Sequence, residues 1–157
     1  MDIIDNFYVE NTTLVKYNGT ESSVIIPNYI KTIGKGAFEE NRFLTTVIMG
    51  NGVEKIEDNA FAYCRSLSKI ALSSNLTVLG KGSFAWCKNL KKIFIPISVV
   101  KIGDGAFEQL LVQEGEDKLL ILCEVQKPLF RLPCGWSKRW LGGNGKRNIK
   151  VVWDCMI

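Results

Sequence analysis

Basic residues cluster towards the C-terminal end of the sequence, and they are the side chains best suited to chemistry with a ligand. Between Val125 and Lys150 there are seven lysines and arginines, no acidic residue, and the aromatic residues Phe130, Trp136 and Trp140. This composition is typical of sites for phosphates or anionic glycans. The candidate anion-binding residues are Lys138, Arg139, Lys146, Arg147 and Lys150. A charge run is more often only a solvated face, and no known nucleic-acid motif occurs here, so nucleic acid is not favoured as a partner.

Catalytic chemistry lacks its usual residues. The 157-residue chain contains no histidine, which removes the commonest general base, the commonest metal ligand and any Ser-His or Cys-His pair. Its five cysteines are an odd number without a Cys-x-x-Cys spacing, so they indicate neither a zinc ribbon nor a full disulfide framework. We therefore expect no enzyme activity, no metal and no cofactor.

Most of the chain repeats with a period of 23 residues. A period between about 20 and 50 residues predicts a solenoid, because each unit buries its apolar face only against its neighbours. The matching segments are Ile33-Gly34 with Ala37-Phe38, Ile56 with Ala60-Phe61, Leu79-Gly80 with Ser83-Phe84, and Ile102-Gly103 with Ala106-Phe107.

The repeated run resembles the BspA-type leucine-rich repeat family. It reads Leu-x-x-Ile-x-Ile-Pro, then Val or Leu-x-x-Ile-Gly, then Ala-Phe-x-x-Cys-x-x-Leu, over residues 24 to about 112. Departures from the family pattern are Asn41 and Leu110 in place of Cys, Glu57 in place of Gly, and Ser83 in place of Ala. The resemblance implies a binding module, with members that are surface adhesins of bacteria and some protozoa, and it carries no catalytic residue to transfer.

The predicted fold is a right-handed leucine-rich-repeat solenoid, α/β or mainly β, with a parallel sheet and a short helical turn in each coil. Phe38, Phe61, Phe84 and Phe107 should point into the core. We expect one domain over residues 1–157, with an N-terminal hairpin cap in 1–22, four 23-residue repeats in 23–112 and a C-terminal cap in 113–157. The tryptophans of the C-terminal cap should cover the core of the last coil.

Alternation along the first strand of each coil predicts columns of outward side chains. One column is apolar and contains Ile25, Ile48, Ala71 and Phe94, and the next contains Ser23, Thr46, Lys69 and Lys92. Apolar residues in register on a solvent-facing sheet suggest a contact strip for a protein or peptide. The candidate protein-binding residues are Ile25, Ile48, Ala71, Phe94, Lys69 and Lys92. The competing explanation is β-propensity, since Ile and Phe favour strands whatever they face.

Two further pairs recur one coil apart. Tyr63 and Trp86 should stack on each other on the outside of the turn. Cys64 and Cys87 should be reduced thiols that act as small core residues, because parallel side chains on stacked coils sit too far apart for a relaxed disulfide.

Two functional hypotheses follow. The leading one is a non-catalytic module that recognises a protein or peptide on its exposed sheet face. The alternative is an anion-binding protein that uses the basic C-terminal cap, with acidic polysaccharide or nucleic acid as its partner. We expect a monomer without a membrane span. Met1 to Asn6 carries no basic cluster or long apolar run, which with reduced thiols predicts a cytoplasmic location. A fragment of a longer cell-surface protein would have the same sequence features.

Overall fold

A computed structural model describes residues 2–4, 6–108, 119–123, 136–141 and 149–153. These residues form thirteen strands and no helix, so the fold is mainly β. The strands are β1 (Asp2–Ile4), β2 (Phe7–Glu10), β3 (Thr13–Tyr17), β4 (Ser23–Ile26), β5 (Thr32–Ile33), β6 (Thr46–Met49), β7 (Lys55–Ile56), β8 (Lys69–Ala71), β9 (Val78–Leu79), β10 (Lys92–Ile95), β11 (Lys101–Ile102), β12 (Leu119–Cys123) and β13 (Ile149–Trp153).

Each coil contributes one long strand and one short strand. The long strands form two parallel three-stranded sheets, β4-β6-β8 and β10-β12-β13, which together we call the long-strand face. The short strands β5, β7, β9 and β11 pair in parallel, and β1 to β3 extend their sheet. Branched apolar residues alternate along the long strands, so one set is buried while the other faces outward, as in the exposed-buried pattern of Ser23 to Ile26.

A ladder of phenylalanine rings runs through the core. Phe38, Phe61, Phe84 and Phe107 stack in order, with ring centroids 4.7, 5.3 and 5.7 Å apart and ring planes within 10° of parallel. All four rings are buried, which confirms the core position predicted for them. The 23-residue period causes the ladder, since it returns the same residue to the same place in each coil.

The segments that carry these rings are not the short helical turns expected from the sequence. They are successive β-turns, in which Ala37 N–H donates to Gly34 O and Glu39 N–H donates to Gly36 O, both at 3.1 Å. The intervening N–H group of Phe38 donates to Ala60 O of the next coil at 2.8 Å. Every second amide is therefore used between coils, and a helix would withdraw those amides from the neighbouring coil.

The N-terminal cap is an antiparallel arrangement of β1, β2 and β3. The hairpin predicted for the N-terminal cap is formed by β2 and β3, and β3 joins the solenoid by pairing in parallel with β5. Tyr17 and Phe7 extend the ring ladder into this cap, since the Tyr17 ring centroid lies 5.1 Å from those of both Phe38 and Phe7. Burial in an apolar site and the hydrogen bond to Glu21 raise the pKa of the Tyr17 phenol well above its usual value.

Strand stacking continues beyond the four regular repeats. Ile93 of β10 pairs with Ile121 of β12, and Ile121 pairs with Val151 of β13. Trp136 forms a parallel bridge with Ile102, and Phe107 N–H donates to Trp140 O at 3.2 Å. Trp136 thus takes the place that Ile102 holds one coil earlier, and Trp140 takes that of Ala106, whose carbonyl accepts from Phe84 N–H. Both are buried, and the Trp140 ring meets Phe107 edge-on.

Candidate binding surfaces

Strand register brings the predicted apolar residues together on the long-strand face. Ile25 of β4 pairs with Ile48 of β6, and Ile48 pairs with Ala71 of β8. Ile25 is 67% exposed and Ile48 is 44% exposed, whereas Val24 and Val47 beside them are buried. The outward and inward residues therefore separate as the alternation predicts, and an apolar strip faces solvent.

Phe94 continues this strip on β10 and is half-buried. The Lys92 ammonium nitrogen lies 4.8 Å from the centroid of the Phe94 ring, within range of a cation–π contact. The register then adds two residues that the sequence interpretation missed, because Phe94 pairs with Leu122 and Leu122 pairs with Val152. Leu119 to Cys123 is apolar throughout, so only the pairing reveals which of its residues face outward.

Lys69 and Lys92 occupy the neighbouring column. Thr46 pairs with Lys69, and Lys92 pairs with Leu120, which in turn pairs with Lys150. β8 and β10 lie next to each other but belong to separate sheets. Lys69 in β8 and Lys92 in β10 thus belong to strands on the two sides of this break.

The predicted basic residues of the C-terminal part lie on two different elements. Lys138 and Arg139 are exposed neighbours on a turn at residues 138–141, and Gly105 N–H donates to Arg139 O at 2.7 Å. Lys150 belongs to β13 of the long-strand face. Lys146 and Arg147 lie outside the described residues. Lys138 and Arg139 are thus together, and Lys150 shares a column with Lys92 instead.

Tyr63 and Trp86 stack as predicted, with ring centroids 5.8 Å apart and ring planes within 2° of parallel. Both residues have a left-handed backbone, with φ angles of 59° and 64°. That conformation is unusual for bulky side chains and costs of order 1 kcal/mol or more. The ring stacking offsets part of this cost, which makes the pair a structural feature of the turn.

Cys64 and Cys87 are buried thiols, as predicted. Their Sγ atoms donate to Phe38 O at 3.0 Å and to Phe61 O at 3.1 Å. Burial raises the pKa of the Cys64 thiol to about 12 and places that of Cys87 well above its usual value. Because the thiolate is the reactive form, neither residue is suited to be a nucleophile.

In the part of the chain that the structure describes, no three acidic, cysteine or histidine side chains are grouped so that they could hold a metal ion. No helix there is long and apolar enough to cross a membrane.

Comparison with known proteins agrees with this geometry. Residues 13–114 match the BspA type leucine rich repeat region, in six copies. No curated protein matches the chain. A leucine-rich repeat protein from Bacteroides capillosus is similar, at 33% identity and a TM-score of 0.60, over 67% of this chain and 88% of that one.

Two more solved structures share the fold. A leucine rich cell surface protein from Faecalibacterium prausnitzii has a TM-score of 0.68 at 24% identity, over 92% of this chain and 35% of that one. The pneumococcal vaccine antigen PcpA has a TM-score of 0.66 at 20% identity, over 96% of this chain and 46% of that one. The chain thus spans about a third of the Faecalibacterium protein and under half of the pneumococcal one. With its family match and its stacked coils, this chain belongs to the BspA-type leucine-rich repeat family.

Proposed function

We propose that this protein is a non-catalytic binding module that recognises a protein or peptide on its long-strand face. The observation that carries the proposal is the column of Ile25, Ile48 and Ala71, which are exposed in register, with the half-buried Phe94 on the adjacent strand β10. Interface cores are depleted in charge and enriched in aromatic and other apolar residues, as this column is. Family membership supports the same class of function, because the fold serves in binding and recognition.

The energetics of binding favour a partner that covers the whole column over a partner that covers a single residue of it. Burying a fully exposed Ile or Phe side chain contributes roughly 1.5–3 kcal/mol, and association first has to offset several kcal/mol of lost freedom. Several adjacent apolar residues must therefore be covered together. Lys69 and Lys92 at the edge of the column would favour a partner with acidic groups around an apolar centre.

The test is affinity capture with wild type and an Ile48→Lys/Phe94→Lys variant. The purified protein is the bait, and lysates of source cells and extracts of a host surface supply the candidate partners. A matched control is Phe43→Lys/Val100→Lys, which adds the same charges at exposed apolar residues outside the column. The proposal expects a partner that the control retains and the column variant loses, with unchanged unfolding midpoints for both. Retention by the column variant contradicts it.

Anion binding by the C-terminal cap is the second candidate. It is supported by the adjacent exposed side chains of Lys138 and Arg139, to which the sequence adds Lys146, Arg147 and Lys150. Salt separates the two candidates, since screening weakens contacts with exposed cations far more than apolar contacts. Capture that survives in the column variant but is lost at high salt favours the cap.

The compartment is part of the same proposal. Buried thiols at Cys64 and Cys87 support a reducing compartment such as the cytoplasm. The Faecalibacterium relative, described as a cell surface protein, supports the alternative of a surface location. Fractionation of source cells with an antibody against the chain distinguishes them by whether the signal stays with the soluble interior or with the envelope.

A further inference from the structure

A concave site, separate from the long-strand face, lies on the face of the short strands. It is a trough of about 430 Å³ that includes four lysines. Lys55 and Lys101 come from short strands β7 and β11, while Lys35 and Lys81 come from the turns that follow β5 and β9. We call this site the lysine trough. It shares no residue with the apolar column and includes none of the basic residues of the C-terminal cap.

Coil stacking sets the spacing of these cations. Lys55 pairs with Val78, which pairs with Lys101, so the two lysines lie two strands apart in one column. Neighbouring strands are about 4.8 Å apart, which puts the two Cα atoms about 9.6 Å from each other. Lys35 and Lys81 also stand two coils apart, so both pairs repeat at the same interval.

The acidic residues of the trough accept hydrogen bonds from neighbouring lysines and keep further acceptor capacity, since a carboxylate has about four lone-pair sites. Glu57 accepts from the Lys55 ammonium group at 2.7 Å and from Lys35 N–H at 3.2 Å. Asp58 accepts from Lys81 N–H at 2.8 Å. Among the described residues, the ammonium groups of Lys35, Lys81 and Lys101 have no ion-pair partner. The trough therefore keeps a positive excess.

The floor of the trough is bare backbone at Gly80 and Gly103. A Cβ atom on Gly80 would lie 2.5 Å from Asp58 N, and one on Gly103 would lie 2.5 Å from Lys81 N. Coil packing thus excludes any side chain at these two positions. At these positions the trough is lined by peptide groups, beside the side chain of Val78.

From this arrangement we propose that the lysine trough binds a short acidic saccharide. Its carboxylate or sulfate groups pair with Lys81 and Lys101, its ring lies over the two glycines, and its hydroxyl groups donate to Glu57 and Asp58. A ligand that carries both anions and hydroxyl donors uses both kinds of group in the trough. The volume of the trough is within the range of sites for small molecules.

Other anions fit less well. None of the described residues that line the trough is aromatic, so it offers no platform on which a base could stack. A simple phosphate would leave the hydrogen-bonding capacity of Glu57 and Asp58 unused.

Calorimetric titration at low salt tests the proposal with trigalacturonate, a sulfated trisaccharide, neutral maltotriose and inorganic triphosphate. The trough variant is Lys81→Gln/Lys101→Gln, and its matched control is Lys88→Gln/Lys91→Gln, at exposed lysines outside both the trough and the apolar column. We expect wild type to bind one or both acidic trisaccharides and not maltotriose. The trough variant should bind about five- to tenfold more weakly, from the loss of two exposed charge contacts, while the control stays unchanged.

The two acidic probes separate a carboxylate from a sulfate ligand, and binding of either supports the proposal. A Val78→Glu variant, which puts a carboxylate between Lys55 and Lys101, should weaken binding at least as much. Equal affinity for triphosphate, equal affinity of the trough variant, or no binding of either acidic trisaccharide by folded protein overturns the proposal.

Discussion

Phe61 and Phe84 stack face to face in the core, with ring centroids 5.3 Å apart and ring planes within 6° of parallel. Each ring also stacks on a further phenylalanine, so both lie inside a continuous ladder. A ring removed from the ladder leaves a cavity between two coils that the backbone hydrogen bonds hold in place.

The first prediction concerns this ladder. Phe61→Ala and Phe84→Ala should each lower the free energy of unfolding by about 3–5 kcal/mol, because transfer and cavity costs add at a fully buried site. Phe43→Ala is the control, since that side chain is 57% exposed and should change stability by less than about 0.5 kcal/mol. Urea unfolding measures all three, and equal midpoints for the core and control variants would refute the ladder's role.

Regular coils were predictable from the sequence because their period is constant. Once Phe61 is known to be buried, a 23-residue shift gives Phe84, and the same shift gives the outward column of Ile25 and Ile48. The coil that contains Trp136 and Trp140 could not be aligned with the others in this way, because its long strand begins after an interval that differs from 23 residues. No shift of fixed length could have aligned it.

The turn geometry and the lysine trough could not be predicted from the sequence either. Left-handed backbone at Tyr63 and Trp86 contradicts the preference of bulky residues, so local propensity gave no hint of it. The trough requires Lys55 and Lys101 from strands and Lys81 from a turn to meet over two glycines. That meeting depends on the stacking of both elements, whereas each lysine alone reads as a solvated charge.

The second prediction concerns Ser83, which replaces the alanine found at the matching positions of the other coils. Its hydroxyl is buried and has no hydrogen-bond partner among the described residues. Ser83→Ala should therefore raise the free energy of unfolding by about 1–2 kcal/mol, because it removes an unsatisfied polar group without opening a cavity of any size. Ala60→Ser is the reciprocal control and should destabilise by a similar amount. If Ser83→Ala lowers the free energy of unfolding and Ala60→Ser raises it, the hydroxyl has a hydrogen-bond partner.

The third prediction concerns the reactivity of the core thiols. In a Cys123→Ala/Cys134→Ser/Cys155→Ser background, Cys64 and Cys87 should resist a thiol reagent at pH 8 in the folded protein and react fully in denaturant. The folded pKa of Cys64, about 12, exceeds its ordinary value of 9.0. The stability linked to this shift is therefore complete below about pH 9 and is lost as pH rises towards 12. Rapid labelling of both thiols in the native state would contradict their buried placement.

The last prediction concerns the ion pair between Lys55 and Glu57. The hydrogen bond from Lys55 and its charge lower the pKa of the Glu57 carboxyl below its ordinary value of 4.5. A lowered folded pKa means that the pair's stabilisation is present above pH 4.5 and is lost as pH falls through the folded pKa. Since both side chains are partly exposed, the coupling should be only a few tenths of a kcal/mol.

A double-mutant cycle with Lys55→Gln and Glu57→Gln measures this coupling by urea unfolding at pH 7 and pH 3. We expect a small favourable coupling at pH 7 that becomes smaller at pH 3, because protonation of the carboxyl removes its charge. Lys31 and Glu54 form a comparable exposed pair at 2.8 Å and provide the matched cycle. Glu57 also accepts a backbone N–H, so Glu57→Gln should cost more than Glu54→Gln at pH 7. Equal costs for the two carboxyl variants would mean that the contact with Lys35 N–H contributes nothing to stability, and that Glu57 is free to turn towards a ligand in the trough.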